Sequence, residues 1–311
     1  LGLDGWWLTP WPLLLLRFGR GVFSGFIAPA LTLVTEGAPP DRQGRVTAVS
    51  QSSLVAGTVV GPAVGAWIGA HGGPHLAFLW CAWTAAVATV LVAFIASEGA
   101  LPEGGNPLDR RRPWNALRSA WVDARRDLST GGLMPLMIGL FLVQVANTLV
   151  HPVLRLHVEG FTGLPPGRML EVAGYAFSVA ALGQILFSRF WGGWTDRVGA
   201  AGVIPLTTLL TALTFVPLGL ARAADSFLWL RFLQGAVASG TVPAAYAHVG
   251  RLSGVGRRGV AYGLALSSFQ LANVVGPLGG GCLAAAVGTR PLFFVAAGIL
   301  GVAALWMRSR L

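Results

Sequence analysis

The sequence predicts an all-α integral membrane protein, and two observations carry that expectation. The first is composition: of 311 residues, 54% are hydrophobic and only 11% charged, where a soluble domain carries about 25% charged residues. Such a chain cannot clothe a water-facing surface, and in lipid it need not. The second is the number of long apolar stretches. A helix needs about 20 mostly apolar residues to cross a bilayer, and nine stretches qualify: 12–35, 46–70, 75–97, 133–156, 171–191, 201–222, 226–249, 260–286 and 291–307. Transmembrane strands would alternate over about ten residues, and runs such as Ala85 to Ala96 do not.

The net charge of +10 does not point to nucleic acid. All 22 basic residues are Arg, and they stand singly or in short groups between apolar runs and form no stripe. Their placement instead sets topology, because cytoplasmic connections collect positive charge. Alternate connections hold Arg42 and Arg45, then six Arg between Arg110 and Arg126, then Arg189 and Arg197. Arg251, Arg257 and Arg258 follow, with Arg308 and Arg310 at the C-terminus, making 15 of the 22. The intervening connections near Gly72, Arg168, Arg222 and Arg290 carry at most one each. The Arg-rich side is therefore expected to be cytoplasmic, with the C-terminus inside. Residues 98–130, with six Arg and five acids, read as a cytoplasmic linker with an interfacial helix near Trp114–Arg126.

The chain also repeats itself. Arg17, Phe18, Gly21, Pro29 and Ala30 match Arg231, Phe232, Gly235, Pro243 and Ala244 at a shift of 214. At a shift of 215, Gly61, Pro62, Gly65 and Phe78 match Gly276, Pro277, Gly280 and Phe293. Spans one to three thus recur as seven to nine in one orientation, while four to six have no upstream copy. The simplest account is a six-plus-six protein whose first three helices lie outside this chain, which begins on Leu1 and reads as the interior of something longer. On that account residues 1–97 are the last part of an N-terminal bundle, 98–130 the linker, and 131–311 a C-terminal six-helix bundle.

Four motifs give this pattern a family. The loop Gly192-Gly193-Trp194-Thr195-Asp196-Arg197-Val198-Gly199 resembles a G-x-L-x-D-R-x-G cytoplasmic loop. Arg17-x-x-x-Gly21 recurs as Arg231-x-x-x-Gly235, and Gly57-x-x-x-Gly61-Pro62-x-x-Gly65 is echoed by Gly276-Pro277-x-x-Gly280. In this order they resemble the major facilitator superfamily, and within it the drug:proton antiporters that act as bacterial multidrug efflux proteins. The resemblance implies a helical bundle of twelve spans, of which nine are visible here, in the plasma membrane of a bacterium. It implies secondary active, proton-coupled efflux of small lipophilic or cationic compounds by alternating access. The protein would be a monomer whose partners are the lipid bilayer, a small-molecule substrate and the proton. A same-fold importer of a sugar or other metabolite, and a non-transporting remnant, stay open as alternatives.

Residue chemistry suggests how such a device would work. Proline bends a helix by removing a backbone donor, and glycines four apart let helices approach. Gly57, Gly61, Pro62 and Gly65, with Gly276, Pro277 and Gly280, are accordingly expected to form bendable gate seams. Gly192, Asp196, Arg197 and Gly199 would form a gate latch, or else a solvated turn. Arg17 and Arg231 lie within spans, where a cation is costly and faces the bundle interior; the resemblance implies proton coupling, and snorkelling is the alternative. Gln144, Asn147 and His151 share one helix face. With Gln51, Tyr175, Gln184, Gln270 and Asn273 they are candidates to line a substrate pathway, or to bond helix to helix. No phosphate-binding Gly-Lys-Ser/Thr loop and no metal-ligand spacing occurs, so no enzyme activity, cofactor or metal is expected.

Overall fold

The computed structural model describes residues 10–23, 43–95, 133–161, 165–252 and 258–311, and all regular structure among them is α-helical. The elements are α1 (Pro10–Phe23), α2 (Gln43–Ile95), α3 (Leu133–Leu149), α4 (Leu154–Glu159), α5 (Pro166–Val198), α6 (Ala200–Leu220), α7 (Ala224–Ala238), α8 (Thr241–Leu252), α9 (Arg258–Val287) and α10 (Thr289–Arg310). Each of the nine expected spans overlaps at least one of these helices. Five helical segments are long and apolar enough to cross a membrane unaided: Ala56–Phe94, Arg168–Val198, Ala200–Leu220, Gly263–Val287 and Thr289–Arg310. The linker 98–130 lies outside the described residues.

Helix boundaries follow from backbone chemistry. Two expected spans run together as α2, bent at Gly73, where φ is 80° and ψ 165°. Gly288, which ends α9, has φ 86° and ψ 176°. These two glycines are 215 residues apart, the shift of the sequence repeat, so the repeat extends to a backbone conformation that only glycine adopts at little cost. Gly199 (φ 91°) likewise turns the chain between α5 and α6.

The chain divides into two compact units, Leu1–Ala56 with Val87–Gly105, and Gly57–Ala86 with Asn106–Leu311. The first contains α1 and both ends of α2. In the second, α10 packs on α6 and α3, α9 on α3, and α5 on α7. Its core holds fully buried Leu136 and Leu140 of α3, Ile204 and Phe215 of α6, and Phe293, Leu300 and Met307 of α10. Large apolar side chains also cover the outside, among them Leu213, Trp229, Leu271, Leu278 and Leu305, as expected where lipid is the solvent. Backbone polar groups are satisfied inside each helix. On α6 the buried hydroxyls of Thr207, Thr208, Thr211 and Thr214 follow the same rule, donating to carbonyls of the preceding turn at 2.7–2.9 Å.

Two crossings are unusually close. A methyl group at Gly280 of α9 would collide with the Leu149 carbonyl of α3, and one at Gly276 would come 3.0 Å from the Val145 carbonyl oxygen. Likewise, Gly183 of α5 and Gly235 of α7 each sit against the other helix's backbone. Small residues are what allow such approach.

Candidate substrate cavity

A cavity of about 570 Å³ lies within the second unit. Part of α2 borders it through Gly57, Thr58 and Pro62; α3 contributes Val143, Gln144 and Asn147; α5 contributes Phe177, Ala180, Ala181 and Gln184. Thr211 of α6, Arg231, Gln234 and Ala238 of α7, and Thr241 and Val242 of α8 complete the lining, together with His151 in the turn after α3. About half of the lining side chains are polar and the rest apolar, and converging polar groups in an apolar setting are what fix a small molecule's orientation.

Two hydrogen-bond chains organise those groups. In one, Arg231 donates from Nη1 to Gln234 Oε1 at 2.6 Å, and Gln234 Nε2 donates to Asn147 Oδ1 at 3.3 Å. Asn147 in turn donates to the Val143 carbonyl at 2.9 Å. In the other, Gln144 Nε2 donates to Asn273 Oδ1 at 2.8 Å, and Asn273 Nδ2 to Gln270 Oε1 at 3.1 Å. The Arg231 guanidinium lies 5.7 Å from the centre of the Phe177 ring, whose other neighbour is the His151 ring, 5.1 Å away and edge-on. Arg231 is buried, 3% exposed.

Of the pathway candidates, Gln144, Asn147, His151 and Gln184 therefore come together at the cavity. Asn273 reaches it only through its bond with Gln144, and Gln270 only through Asn273. Tyr175 is half-buried on α5 and does not line it. Gln51 lies on α2 and Arg17 on α1, with side chains outside the described residues. Thr211, Thr241, Phe177 and Gln234 were not anticipated. Gln234 had a legible signal, since it stands three residues after Arg231 on one helix face; Thr211 had none, being one of four threonines on α6.

Span seven is also less regular than its hydropathy suggests. It is interrupted at Ser239 and Gly240, between α7 and α8. Gly240 fits there because a Cβ would approach the Trp191 ring and the Thr207 methyl at 2.8 Å. Ala238 and Thr241, on either side of the interruption, face the cavity. The break is slight: Ser239 keeps helical angles (φ −60°, ψ −20°) and donates to the Gly235 carbonyl at 3.1 Å, while Gly240 donates to the Val237 carbonyl at 3.4 Å.

The gate candidates divide similarly. Gly276 and Gly280 make the close crossing with α3 described above. At Gly57, Gly61 and Gly65 no described atom lies within 4 Å of a Cβ position. The close approach of α2 comes instead at Pro62 and Ala66, against Gly174 of α5, reinforced by the His71–Glu171 pair at 3.6 Å. In the Gly192–Gly199 segment, which forms the end of α5 and not a loop, Asp196 makes no ion pair among the described residues. Arg197 borders a second cavity of about 380 Å³ with Arg189, Phe190, Gly193 and Trp194. Trp191 anchors this end, donating to the Ala236 carbonyl at 2.9 Å and stacking on Trp194 with ring centres 5.2 Å apart.

A helical bundle with exposed apolar faces, an internal repeat and a partly polar cavity defines a membrane transporter. The chain belongs to the Major Facilitator Superfamily, whose pattern matches residues 1–170 and 136–310. It is 27% identical to an uncharacterized MFS-type transporter, YuxJ, of Bacillus subtilis, over 99% of this chain and 76% of that one. It is 25% identical to a multi-drug resistance efflux pump PmrA homolog of Lactococcus lactis, over 90% and 67%. It is also 25% identical to the multidrug resistance protein MdtG of Klebsiella pneumoniae, over 93% and 68%. In fold it resembles a bacterial homolog of the human lysosomal transporter Spinster, in an inward-facing and unoccupied conformation. That likeness has a TM-score of 0.68 at 15% identity, covering 91% of this chain and 73% of the other.

Proposed function

We propose that this transporter exports small lipophilic compounds from the cytoplasm, driven by proton entry. The single observation that carries the reading is the cavity, in which apolar side chains such as Val143, Phe177 and Val242 stand beside a set of hydrogen-bonding groups. Its relatives' names support the direction: two of those described above are called multidrug efflux or resistance proteins. Alternating access would rock a bundle ending near residue 97 against one beginning near 131, about this midplane site. The pliable elements would be α2, with Pro62 and the Gly73 bend, and α9, with Pro277. Arg231, buried beside the cavity, is the candidate proton-coupling residue in this half, and Arg17 its repeat counterpart. The cationic compounds expected of drug antiporters fit less well, because the cavity already holds a buried guanidinium.

The test is accumulation of a neutral lipophilic fluorescent dye in cells stripped of their own efflux pumps. Expression of the chain should lower steady-state dye, and collapsing the proton gradient with an uncoupler should restore it. An uptake increase on expression would support an importer; no change with this dye or with a lipophilic acid would remove the reading.

A further inference from the structure

Among the described residues, the cavity presents buried positive charge with no acid beside it. Arg231 has five N–H donors, and two find protein acceptors, Gln234 Oε1 at 2.6 Å and the Ala176 carbonyl at 3.4 Å. Its remaining contact is the face of Phe177. The acids among the described residues are Glu159, Glu171, Asp196 and Asp225. None lines the cavity: Glu159 pairs with Arg155, and Glu171 with His71. His151, whose ring lies edge-on to Phe177, adds a ring N–H able to donate a hydrogen bond. Burying a lone cation costs several kcal/mol in a protein interior, and in a membrane such residues normally pair or face a functional pathway. An Arg held by one amide oxygen, one carbonyl and one ring face, and bordering a cavity, is a receptor for a planar anion, because the guanidinium fork matches a carboxylate in two-point contact.

We infer that the cavity selects compounds with a carboxylate on a compact apolar body. The carboxylate would seat on Arg231, with His151 nearby, and the apolar body on Val143, Ala180, Ala181 and Val242. This deepens the transport reading and rests on the cavity being the transport site. A cationic compound would meet like charge in a low dielectric, which is repulsive; a neutral one would leave the guanidinium unpaired.

The experiment uses the full chain in lipid nanodiscs and three isosteric radiolabelled probes: 1-naphthaleneacetate, 1-naphthaleneacetamide and 2-(1-naphthyl)ethylammonium. Hydrogen bonds to charged groups predict that the acetate binds about tenfold or more tightly than either other probe. Arg231→Lys should keep part of that preference, and Arg231→Gln should abolish it. Equal binding of acid and amide, tighter binding of the ammonium, binding of none of the three, or an acid preference that survives in Arg231→Gln would each overturn the inference. The preference in the unsubstituted chain needs no variant, so a misfolded Arg231→Gln leaves the test intact. Uncoupler-sensitive efflux separates the two readings: efflux of the neutral dye without acid preference sinks only the selectivity, whereas efflux of neither the dye nor 1-naphthaleneacetate sinks the transport assignment.

Discussion

Gln234 is the residue at which stability and selectivity can be separated. Its amide accepts from Arg231 and donates to Asn147, so it is the polar hinge between cation and cavity. Gln234→Glu would place a carboxylate where the amide oxygen now sits, giving Arg231 an internal counter-ion in short contact. A paired buried charge is far less costly than an unpaired one, and Asn147 can turn its own N–H toward the new acid. The expected outcome is an apparent Tm equal to or above that of the unsubstituted protein, with acetate-probe binding weakened about tenfold or more. A variant that melts earlier and still binds the acid would refute the view of Arg231 as a charge awaiting a ligand. His157 offers a pH test away from the cavity. It sits in α4, in the connection after α3, boxed by Phe161, Phe227 and Phe293 with ring centres 4.6–5.6 Å away. Burial holds its pKa below the usual 6.5; contact with the Leu218 carbonyl opposes that and Arg290 adds to it. Nε2 has no partner among the described residues. A depressed histidine pKa means that protons bind the unfolded chain more readily. Its contribution is therefore intact above about 6.5 and is lost as pH falls below it. Apparent Tm should drop between pH 7 and 5, and His157→Phe should flatten that drop while leaving Tm at neutral pH unchanged or higher.

Among elements, the crossing of α9 over α3 gives the sharpest contrast. Gly280 faces the Leu149 backbone, which cannot step aside, whereas its neighbour Gly281 has no described atom within 4 Å of a Cβ position. Gly280→Val should cost about 1–3 kcal/mol through overpacking, read as a lowered midpoint in a detergent melt. Gly281→Ala should be neutral or slightly stabilising, since alanine is the better helix former. Equal effects at the two positions would mean that the glycines serve flexibility and not contact. The repeat by itself marks Gly276 and Gly280 as a seam, and it extends to Gly73 and Gly288 through their shared backbone angles. Their upstream equivalents Gly61 and Gly65 pack against no described atom, and α3, the partner of the downstream seam, has no upstream copy in this chain. What hydropathy could not show was the interruption at Ser239–Gly240. Gly240 there is crowded by Trp191 and Thr207 arriving from other helices, a tertiary contact that leaves no periodic trace. The site was half legible for the same reason. A polar face on one helix, Gln144 and Asn147, is visible as spacing; the identity of what it faces, Arg231 with Gln234, is decided by the α3, α5 and α7 packing.

For the whole molecule, charge placement makes a claim about the membrane that packing alone does not. Fifteen of 22 arginines fall on one set of connections, and short loops rich in arginine stay on the cytoplasmic side. The bend at Gly73 and the C-terminus after Arg310 should then lie on opposite faces, because an odd number of spans separates them. A green fluorescent protein fused after Leu311 should fluoresce, and alkaline phosphatase at the same point should be silent. Phosphatase inserted at Gly72 should be active. This matters for mechanism, because Arg189, Asp196 and Arg197 would make the cytoplasmic latch end of α5. An active C-terminal phosphatase would turn that end outward. The exposed Arg189 and Arg197 would then meet the wrong leaflet for a cytoplasmic latch, and the direction of export would have to be argued again from the cavity alone.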